Sequence, residues 1–294
     1  MKLCTFSQDP SPHVGLVWDE TWLVDLQRAA PHLPLSMLEM LQDWDASLEQ
    51  LRALHTHLLT QPFEQIKPLL LAISEVRLLP PVLAPSKIIC AGLNYYDHCR
   101  EQNVKIPERL ILFTKHPSAL AGAGTAITWP AGLTEQVDYE AELALVIGRR
   151  VRDLTPETAL SAVAGYTILN DVSARDLQFA EKQWVRAKSL DSFCPMGPWL
   201  VTPDEVGDPN ALKIGCRLNG QVMQDSNTSE MIFKVANVLA IASAGATLLP
   251  GDVISTGTPD GVGVFRKPPV FLKPGDQIEI EIEKIGTLSN PVAA

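Results

Sequence analysis

The feature that most constrains the fold is a pair of glutamates set in an otherwise apolar stretch of chain. Glu140 and Glu142 lie two residues apart, and residues 141–147 are apolar except for Glu142 itself. Such a stretch is typical of a β-strand, in which side chains two residues apart point to the same face. Asp171 follows a second apolar stretch, 166–170, and adds a third carboxylate. The sequence thus places three carboxylates beside two strands of apolar character.

These carboxylates have two interpretations. Adjacent carboxylates on an apolar strand repel each other and resist desolvation. Three oxygen ligands, with no Cys or His among them, suit a hard divalent cation such as Mg²⁺ or Mn²⁺. The spacing alone is also compatible with three solvent-exposed acids beside a sheet edge, and by itself it does not favour the metal.

The composition is that of an ordinary globular protein. The chain has 294 residues, of which 46% are hydrophobic and 20% charged, enough for one large domain or for a large and a small one. A net charge of −10 without a Lys/Arg cluster argues against a nucleic-acid-binding surface. No segment is apolar enough to span a bilayer, and the N-terminus lacks signal-peptide features. The five scattered cysteines form no CxxC pair, which indicates a reduced, cytoplasmic protein without a zinc site.

The chain divides into two regions that differ in their predicted secondary structure. Residues 1–80 are predicted to form a small N-terminal α+β domain, with strands 2–6 and 14–18 and helices 35–42 and 46–59. Pro80 and Pro81 mark a plausible boundary.

Residues 81–294 are strand-rich and are predicted to form a second, larger domain. The predicted strands are 87–91, 110–115, 141–147, 166–170, 198–202, 212–218, 253–256 and 277–282. The two substantial helices are predicted at 156–164 and 229–243. Regular βα alternation is absent, which argues against a doubly wound parallel sheet.

Two further positions carry catalytic side-chain types. His98 and Glu101 are three residues apart, so a short helix would place them on one face, where the carboxylate orients the imidazole and raises its basicity. Such a pair could activate water as a general base, or it could be an incidental pair on a surface helix. Lys188 lies among small and apolar residues and could place a cation beside a carboxylate or an enolate, although surface lysines are commoner.

Two polar positions are candidate substrate contacts. Thr258 belongs to a glycine-rich turn, 256–263, which matches neither a Walker loop nor GxGxxG. Its hydroxyl could hold a substrate carboxylate, and a plain turn is the alternative. Arg175 follows Asp171 closely and could bind an anionic substrate or brace the carboxylates, with the structural role favoured. No GxSxG elbow is present, and no Ser or Cys lies in a recognisable nucleophile context.

Taken together, these motifs resemble the fumarylacetoacetate hydrolase family. The resemblance covers about the last 200 residues, and the joint order of its motifs is more specific than any one of them. The N-terminal part looks like the variable domain of the longer family members. The matching segments are 87–101, 112–115, 137–148, 165–178, 187–198, Asn219-Gly220 with Gln224, 250–263 and 271–286.

The resemblance implies a fold and a metal. The expected fold is α+β, with a mixed β-roll around the active site that makes residues 81–294 a metal-dependent catalytic domain after the small N-terminal α+β domain. The family is usually homodimeric. The resemblance implies that Mg²⁺ or Mn²⁺ is held by Glu140, Glu142 and Asp171.

The resemblance also implies roles for the remaining candidates. His98 and Glu101 would activate water on a segment that orders over the substrate. Lys188 would face the oxyanion side of the substrate, and Thr258 its carboxylate. Two more substrate-binding candidates match positions near the metal, Arg175 and Gln178.

The preferred activity at this point is metal-dependent hydrolysis of a C–C bond in a 2,4-dioxo acid of the acylpyruvate type, with release of pyruvate. The His98/Glu101 pair favours it, because hydrolysis needs a base for water. Oxaloacetate decarboxylation, and isomerisation or decarboxylation of a 2-hydroxy-diene-dioate, are the alternatives, since all these reactions share an enolate. A non-catalytic metal-binding protein is the alternative of another class, although loss of His98, Glu101 or Lys188 would be expected there.

Overall fold

A computed structural model describes residues 1–8 and 11–294. Strands and short helices alternate irregularly in the N-terminal region. In chain order they are β1 (Lys2–Ser7), β2 (Pro12–Val17), β3 (Trp22–Asp25), α1 (Leu26–Ala29), α2 (Met37–Gln42), α3 (Trp44–Leu59), α4 (Phe63–Ile66), β4 (Leu70–Ala72) and β5 (Arg77–Leu79).

The rest of the chain is rich in strands. Its elements are β6 (Ile88–Gly92), α5 (Tyr96–Gln102), β7 (Ile111–Lys115), β8 (Leu120–Ala121), β9 (Val137–Asp138), β10 (Ala141–Ile147), α6 (Pro156–Ala159), β11 (Val163–Asn170), β12 (Ser173–Ala174), α7 (Arg175–Ala180), β13 (Cys194–Val201), α8 (Pro203–Val206), β14 (Lys213–Leu218), β15 (Gln221–Asn227), α9 (Val235–Ser243), β16 (Val253–Ser255), β17 (Gln277–Ile282) and β18 (Gly286–Pro291).

One large mixed sheet forms the body of the molecule. Its strands run in the order β4-β3-β2-β1-β13-β11-β10-β16-β6-β7, with β5 paired to β1 and β8 to β13. The β16–β6 and β13–β8 pairs are parallel, and the other pairs are antiparallel. A second, four-stranded antiparallel sheet has the order β15-β14-β17-β18. This architecture confirms the predicted α+β class with mixed strand directions.

The two predicted regions share one sheet. β1 pairs with β13 through Lys2↔Val201 and Leu3↔Leu200, and one apolar cluster combines side chains from both regions. Because the two regions share a sheet and an apolar cluster, the sheet does not mark a boundary between them. The predicted domain boundary between residues 80 and 81 stays a prediction.

The strands that carry the carboxylates lie at the centre of the large sheet. Every residue of β10 and of β11 is buried, because β10 lies between β11 and β16, while β11 lies between β10 and β13. Their continuous burial agrees with the apolar runs that predicted them.

Two predicted helices are wrong in extent. The helix predicted over 156–164 ends at Ala159, and after a 3₁₀ turn (Leu160–Ala162) the chain enters β11. A Cβ at Gly165 would lie 2.7 Å from the Val201 carbonyl oxygen, so this glycine lets the strands approach closely. The helix predicted to begin at 229 begins at Val235 instead, after a separate 3₁₀ turn (Thr228–Glu230).

The two longest strands that escaped prediction have polar sequences. β15 reads QVMQDSN and β18 reads GTLSNP, and both have exposed or half-buried residues along their length. Asn219 and Gly220, both with positive φ, form the turn between β14 and β15. An Asn-Gly pair between two strands is a strong hairpin signal, so β15 was predictable from it.

Candidate active site and metal centre

The pairing of β10 with β11 brings the three carboxylates together. The register sets Ala141 opposite Asn170, so Glu140 and Asp171 lie just beyond the paired ends of the two strands. The Asp171 amide donates to the Glu140 carbonyl at 3.0 Å, and the Glu140 amide donates to the Asn170 side chain at 3.1 Å. Glu142 points to the same region, as expected from its spacing of two.

The carboxylates form a compact buried group. One oxygen each from Glu140, Glu142 and Asp171 can be chosen so that all three lie within 4.8 Å of one another. Their exposed fractions are 5%, 1% and 0%. This burial rules out the interpretation as exposed acids at a sheet edge.

Two buried lysines partly neutralise this group. The Lys188 ammonium lies 2.8 Å from Glu140 Oε2 and 2.6 Å from Asp171 Oδ2. The Lys115 ammonium lies 2.6 Å from Asp171 Oδ1 and donates to the Val172 carbonyl at 3.2 Å. Asp171 is therefore held by a lysine at each oxygen.

The three carboxylates do not share this neutralisation equally. Burial acts to raise the pKa of Glu140, but Lys188 and Arg175 outweigh it and lower that pKa to about 2. Burial, together with Asp171 and Glu140, raises the pKa of Glu142 well above its usual range. Burial also opposes the charge on Lys188, yet Asp171 and Glu140 outweigh it, so the pKa of the ammonium is raised.

The unequal neutralisation of the three carboxylates is compatible with a divalent cation bound among them. Among the described residues, no lysine, arginine or histidine forms an ion pair with Glu142, which accepts hydrogen bonds from the Ser255 hydroxyl and from the Gly257 amide. A divalent cation among the three carboxylates would supply the missing positive charge, and oxygen donors are the ligands that Mg²⁺ and Mn²⁺ prefer.

Arg175 borders the same group from the start of α7. Its Nε donates to Asp138 Oδ2 at 2.9 Å, and its Nη1 lies 2.7 Å from Glu140 Oε1 and 2.9 Å from Gln178 Oε1. Its buried Nη2 has no partner among the described residues. Arg175 thus braces the carboxylates and keeps one N–H-bearing nitrogen uncommitted.

The His98/Glu101 pair lies on α5, as predicted. His98 Nδ1 is 3.0 Å from Glu101 Oε2, and the second oxygen of Glu101 accepts from the Gly261 amide at 2.9 Å. His98 Nε2 is 2.7 Å from the side-chain nitrogen of Gln102. The imidazole packs edge-on against Phe265, with ring centroids 6.0 Å apart.

Thr258 is fixed by a buried glutamine. The Gln224 side-chain nitrogen donates to Thr258 Oγ1 and to the Pro259 carbonyl, both at 2.9 Å. The Gln224 oxygen accepts from the Ala141 amide at 2.9 Å, next to the carboxylates. The hydroxyl hydrogen of Thr258 is thereby left free to donate to a ligand.

Most of the predicted site residues line one cavity of about 120 Å³. Glu101 and Asp171 do not line it, but each contacts a residue that does. The lining is completed by residues that prediction did not include: four aromatic side chains, a glutamine and the end of β6 with the residue after it, namely Phe113, Phe179, Trp184, Phe265, Gln102, Ala91, Gly92 and Leu93. The predicted residues in the lining are His98, Glu140, Glu142, Arg175, Gln178, Lys188 and Thr258.

Sequence reasoning missed the roles of Lys115 and Gln102. Lys115 closes β7, and a lysine at the end of an apolar strand was the available signal. Gln102 directly follows Glu101 in the chain. Its contact with His98 requires a helix over these residues, and the sequence does not show whether the Gln102 side chain points towards the imidazole.

A mixed β fold with a buried cluster of three carboxylates beside a lysine defines a metal-dependent enzyme, and sequence comparisons agree. Residues 87–293 match the family model "Fumarylacetoacetate (FAA) hydrolase C-terminal". Bovine (Bos taurus) mitochondrial oxaloacetate tautomerase FAHD2A is 48% identical over 285 residues, or 96% of this chain and 87% of that protein. Oxaloacetate tautomerase YisK of Bacillus subtilis (strain 168) is 41% identical over 301 residues, or 99% of this chain and 100% of that protein.

Solved structures agree with the sequence relatives. Fumarylacetoacetate hydrolase EaFAH from Exiguobacterium antarcticum has a TM-score of 0.84 and 40% identity, covering 100% of this chain and 99% of that one. Maleylpyruvate hydrolase from Sphingobium sp. SYK-6, in complex with manganese(II) and pyruvate, has a TM-score of 0.77 and 31% identity over the same shares. The chain belongs to the fumarylacetoacetate hydrolase family, which confirms the predicted family and fold class.

No helix in the described part of the chain is long and apolar enough to cross a membrane.

Proposed function

We propose that this protein catalyses the keto–enol tautomerisation of oxaloacetate, or of a closely similar small 2-oxo dicarboxylate, with Mg²⁺ or Mn²⁺ at Glu140, Glu142 and Asp171. The observation that carries this proposal is the Lys188 ammonium, which lines the cavity within 2.8 Å of Glu140 and 2.6 Å of Asp171. Two relatives that match nearly the whole chain bear the name oxaloacetate tautomerase.

This proposal replaces the earlier preference for C–C hydrolysis. That preference rested on a free base at His98, but His98 Nε2 contacts Gln102 at 2.7 Å. The oxaloacetate-directed alternative is supported by relatives that are 48% and 41% identical, whereas the two solved structures compared above that bear the name hydrolase are 40% and 31% identical.

The reaction needs one proton to move between the 2-oxygen of the substrate and its C3. A cation among the three carboxylates would act as a Lewis acid and stabilise negative charge on that oxygen. Lys188 is the proton-bearing group beside it. We assign Lys188 to donate a proton to C3 of the enol and to recover one from the enol hydroxyl, so that no water is consumed.

Three other side chains have the chemistry to bind the carboxylates of the substrate. Arg175 has an uncommitted Nη2, and an arginine suits a carboxylate because it offers fixed N–H donors. Thr258 has a hydroxyl hydrogen to donate, since its oxygen already accepts from Gln224. Gln178 lines the cavity and shares a hydrogen bond with Arg175.

Hydrolysis of an acylpyruvate is the second candidate, and the His98–Glu101 contact of 3.0 Å favours it. In that reaction His98 would take a proton from water while the water oxygen bonds to the distal carbonyl carbon. The C–C bond then breaks, its electron pair stays with the pyruvate fragment as the enolate, and a proton completes pyruvate.

The experiment that tests the proposal follows the ultraviolet absorbance of enol oxaloacetate and the release of pyruvate in parallel. The proposal expects Mg²⁺-dependent loss of the enol well above the buffer rate, without stoichiometric pyruvate. Stoichiometric pyruvate from oxaloacetate would indicate a decarboxylase instead. Release of pyruvate from acetylpyruvate, without enol turnover, would restore the hydrolase assignment.

The expected oligomeric state and cellular location of the protein remain predictions. A homodimer can be tested by light scattering in solution. A cytoplasmic location follows from the cysteine pattern only, and the bovine relative carries the word mitochondrial in its name.

A further inference from the structure

Gln102 contacts the nitrogen of His98 that a general base would use. The two residues are four apart on α5 and thus on the same helix face, and their side-chain nitrogens lie 2.7 Å apart. Both side chains line the cavity that contains the carboxylates. This contact involves a residue to which the proposed function gives no role.

The neighbours of the imidazole determine which nitrogen carries the hydrogen. Glu101 Oε2 lies 3.0 Å from His98 Nδ1, and an ionised carboxylate can only accept, so Nδ1 carries the hydrogen and donates. In that tautomer Nε2 has one lone pair and no hydrogen. The Gln102 amide therefore donates its N–H to that lone pair.

This hydrogen bond competes directly with water. A water that gives its proton to His98 must approach along the same lone pair, because neutral imidazole has no other acceptor. The ring has little freedom to present Nε2 elsewhere, since His98 is 6% exposed and packs edge-on against Phe265 at 6.0 Å. Glu101 is itself held by the Gly261 amide at 2.9 Å.

We propose that Gln102 determines the type of reaction by occupying His98 Nε2, so that water is not activated and proton transfer at the metal and Lys188 prevails. This inference rests on the proposed function, because it explains why a site with a complete His–Glu pair would favour tautomerisation. Gln102 acts through His98 and is therefore a specificity-determining residue, not a catalytic one.

The test compares the ratio of acetylpyruvate hydrolysis to oxaloacetate tautomerisation in the wild type and in four variants, all loaded with Mg²⁺. Gln102→Met keeps the length of the side chain but removes the donor, and Gln102→Ala removes the donor and opens space. Gln102→Glu places an acceptor there, which favours a protonated ring that cannot take a proton from water. Gln50→Met is the matched control, because Gln50 is exposed on α3.

We expect the ratio to rise about tenfold or more in Gln102→Met and Gln102→Ala, since general-base assistance is worth about 10²–10⁴ in rate. It should not rise in Gln102→Glu or in Gln50→Met. An unchanged ratio in both donor-free variants, or an equal rise in Gln102→Glu, would overturn the inference.

The same measurements separate this inference from the proposed function. Efficient hydrolysis by the wild type, with Gln102 in place, would contradict the inference directly. Absence of tautomerisation in the wild type would reject the proposed function. Tautomerisation in the wild type with no effect of Gln102 would reject the inference alone.

Discussion

The two halves of the candidate active site are built in different ways. Glu140, Glu142 and Asp171 lie on or beside central strands that are hydrogen-bonded on both sides, and they are at most 5% exposed. The opposite half lies on the seven-residue helix α5, which ends at Gln102 and is followed by the exposed Asn103.

The contacts that hold the two halves in place also differ in their burial. The carboxylates are held by buried lysines and an arginine. Helix α5 is held by single side-chain contacts, such as Arg100 to Glu230 at 2.9 Å on the surface and Glu101 to Gly261 at 2.9 Å. We infer from this comparison that the sheet would hold the metal, whereas the helix carries the groups that we propose select the reaction.

Removal of the metal should have the largest effect, because it abolishes the function of the carboxylate half. Chelation should reduce tautomerisation to the buffer rate, and added Mg²⁺ or Mn²⁺ should restore it. The metal-free protein should also be less stable, since a ligand at one hundred times its dissociation constant adds roughly 2.7 kcal/mol. Full activity in a rigorously metal-free preparation, checked by elemental analysis, would refute the assignment of the carboxylates.

Removal of the His98/Glu101 base should lower the rate of acylpyruvate hydrolysis, the reaction that depends on helix α5. In the Gln102→Met background, where His98 Nε2 is free, acylpyruvate hydrolysis should fall by about 10²–10⁴ when His98→Ala or Glu101→Gln is added, because general-base assistance is lost. The measurement is kcat for acetylpyruvate, with Mn²⁺ titration as a control that the carboxylates still bind metal. A loss of metal binding in these variants would break the division into two halves.

Lys115 tests how far the carboxylate half depends on its buried cations. Lys115→Met should destabilise the metal-free protein by up to about 3–5 kcal/mol, because it removes one partner of a fully buried ion pair. Saturating Mn²⁺ should recover part of this loss by replacing the positive charge. Lys105→Met is the control, since the exposed Lys105–Glu108 pair should contribute little. Denaturant unfolding measures both, and equal effects of the two substitutions would contradict the importance of burial.

The smallest expected effect concerns mobility of the helix half. Amide exchange in residues 95–105 should slow when oxalate binds with the metal, because ligand binding would order this segment over the cavity. Exchange in β10 should stay slow in both states. Hydrogen exchange followed by mass spectrometry compares them, and unchanged exchange across 95–105 would speak against closure of this segment.

The sequence predicted the carboxylate half better than its surroundings, for physical reasons. Glu140 and Glu142 were visible because charge inside an apolar strand is unusual, and strand periodicity fixed their common face. The helix predicted over 156–164 was wrong in extent because β11 already begins at Val163. Its third residue, Gly165, allows close contact with β13, so tertiary packing outweighed local propensity.

The missed contacts depend on three-dimensional placement. Lys115 lies at the end of β7, which three strands separate from β11 in the sheet, and its ammonium nevertheless lies 2.6 Å from Asp171 Oδ1. The hydrogen bond from Gln102 depends on the tautomer of His98, which Glu101 sets. Neither contact follows from spacing alone.

The central claim is that tautomerisation belongs to the metal centre and Lys188, and the most direct test compares Lys188→Met with His98→Ala. The measurement is the rate of enol oxaloacetate loss at saturating Mg²⁺, with metal binding of both variants verified by titration. We expect Lys188→Met to lose about 10²–10³ in rate, the typical cost of removing a group that stabilises developing charge, and His98→Ala to lose far less. A larger loss in His98→Ala than in Lys188→Met would contradict the claim.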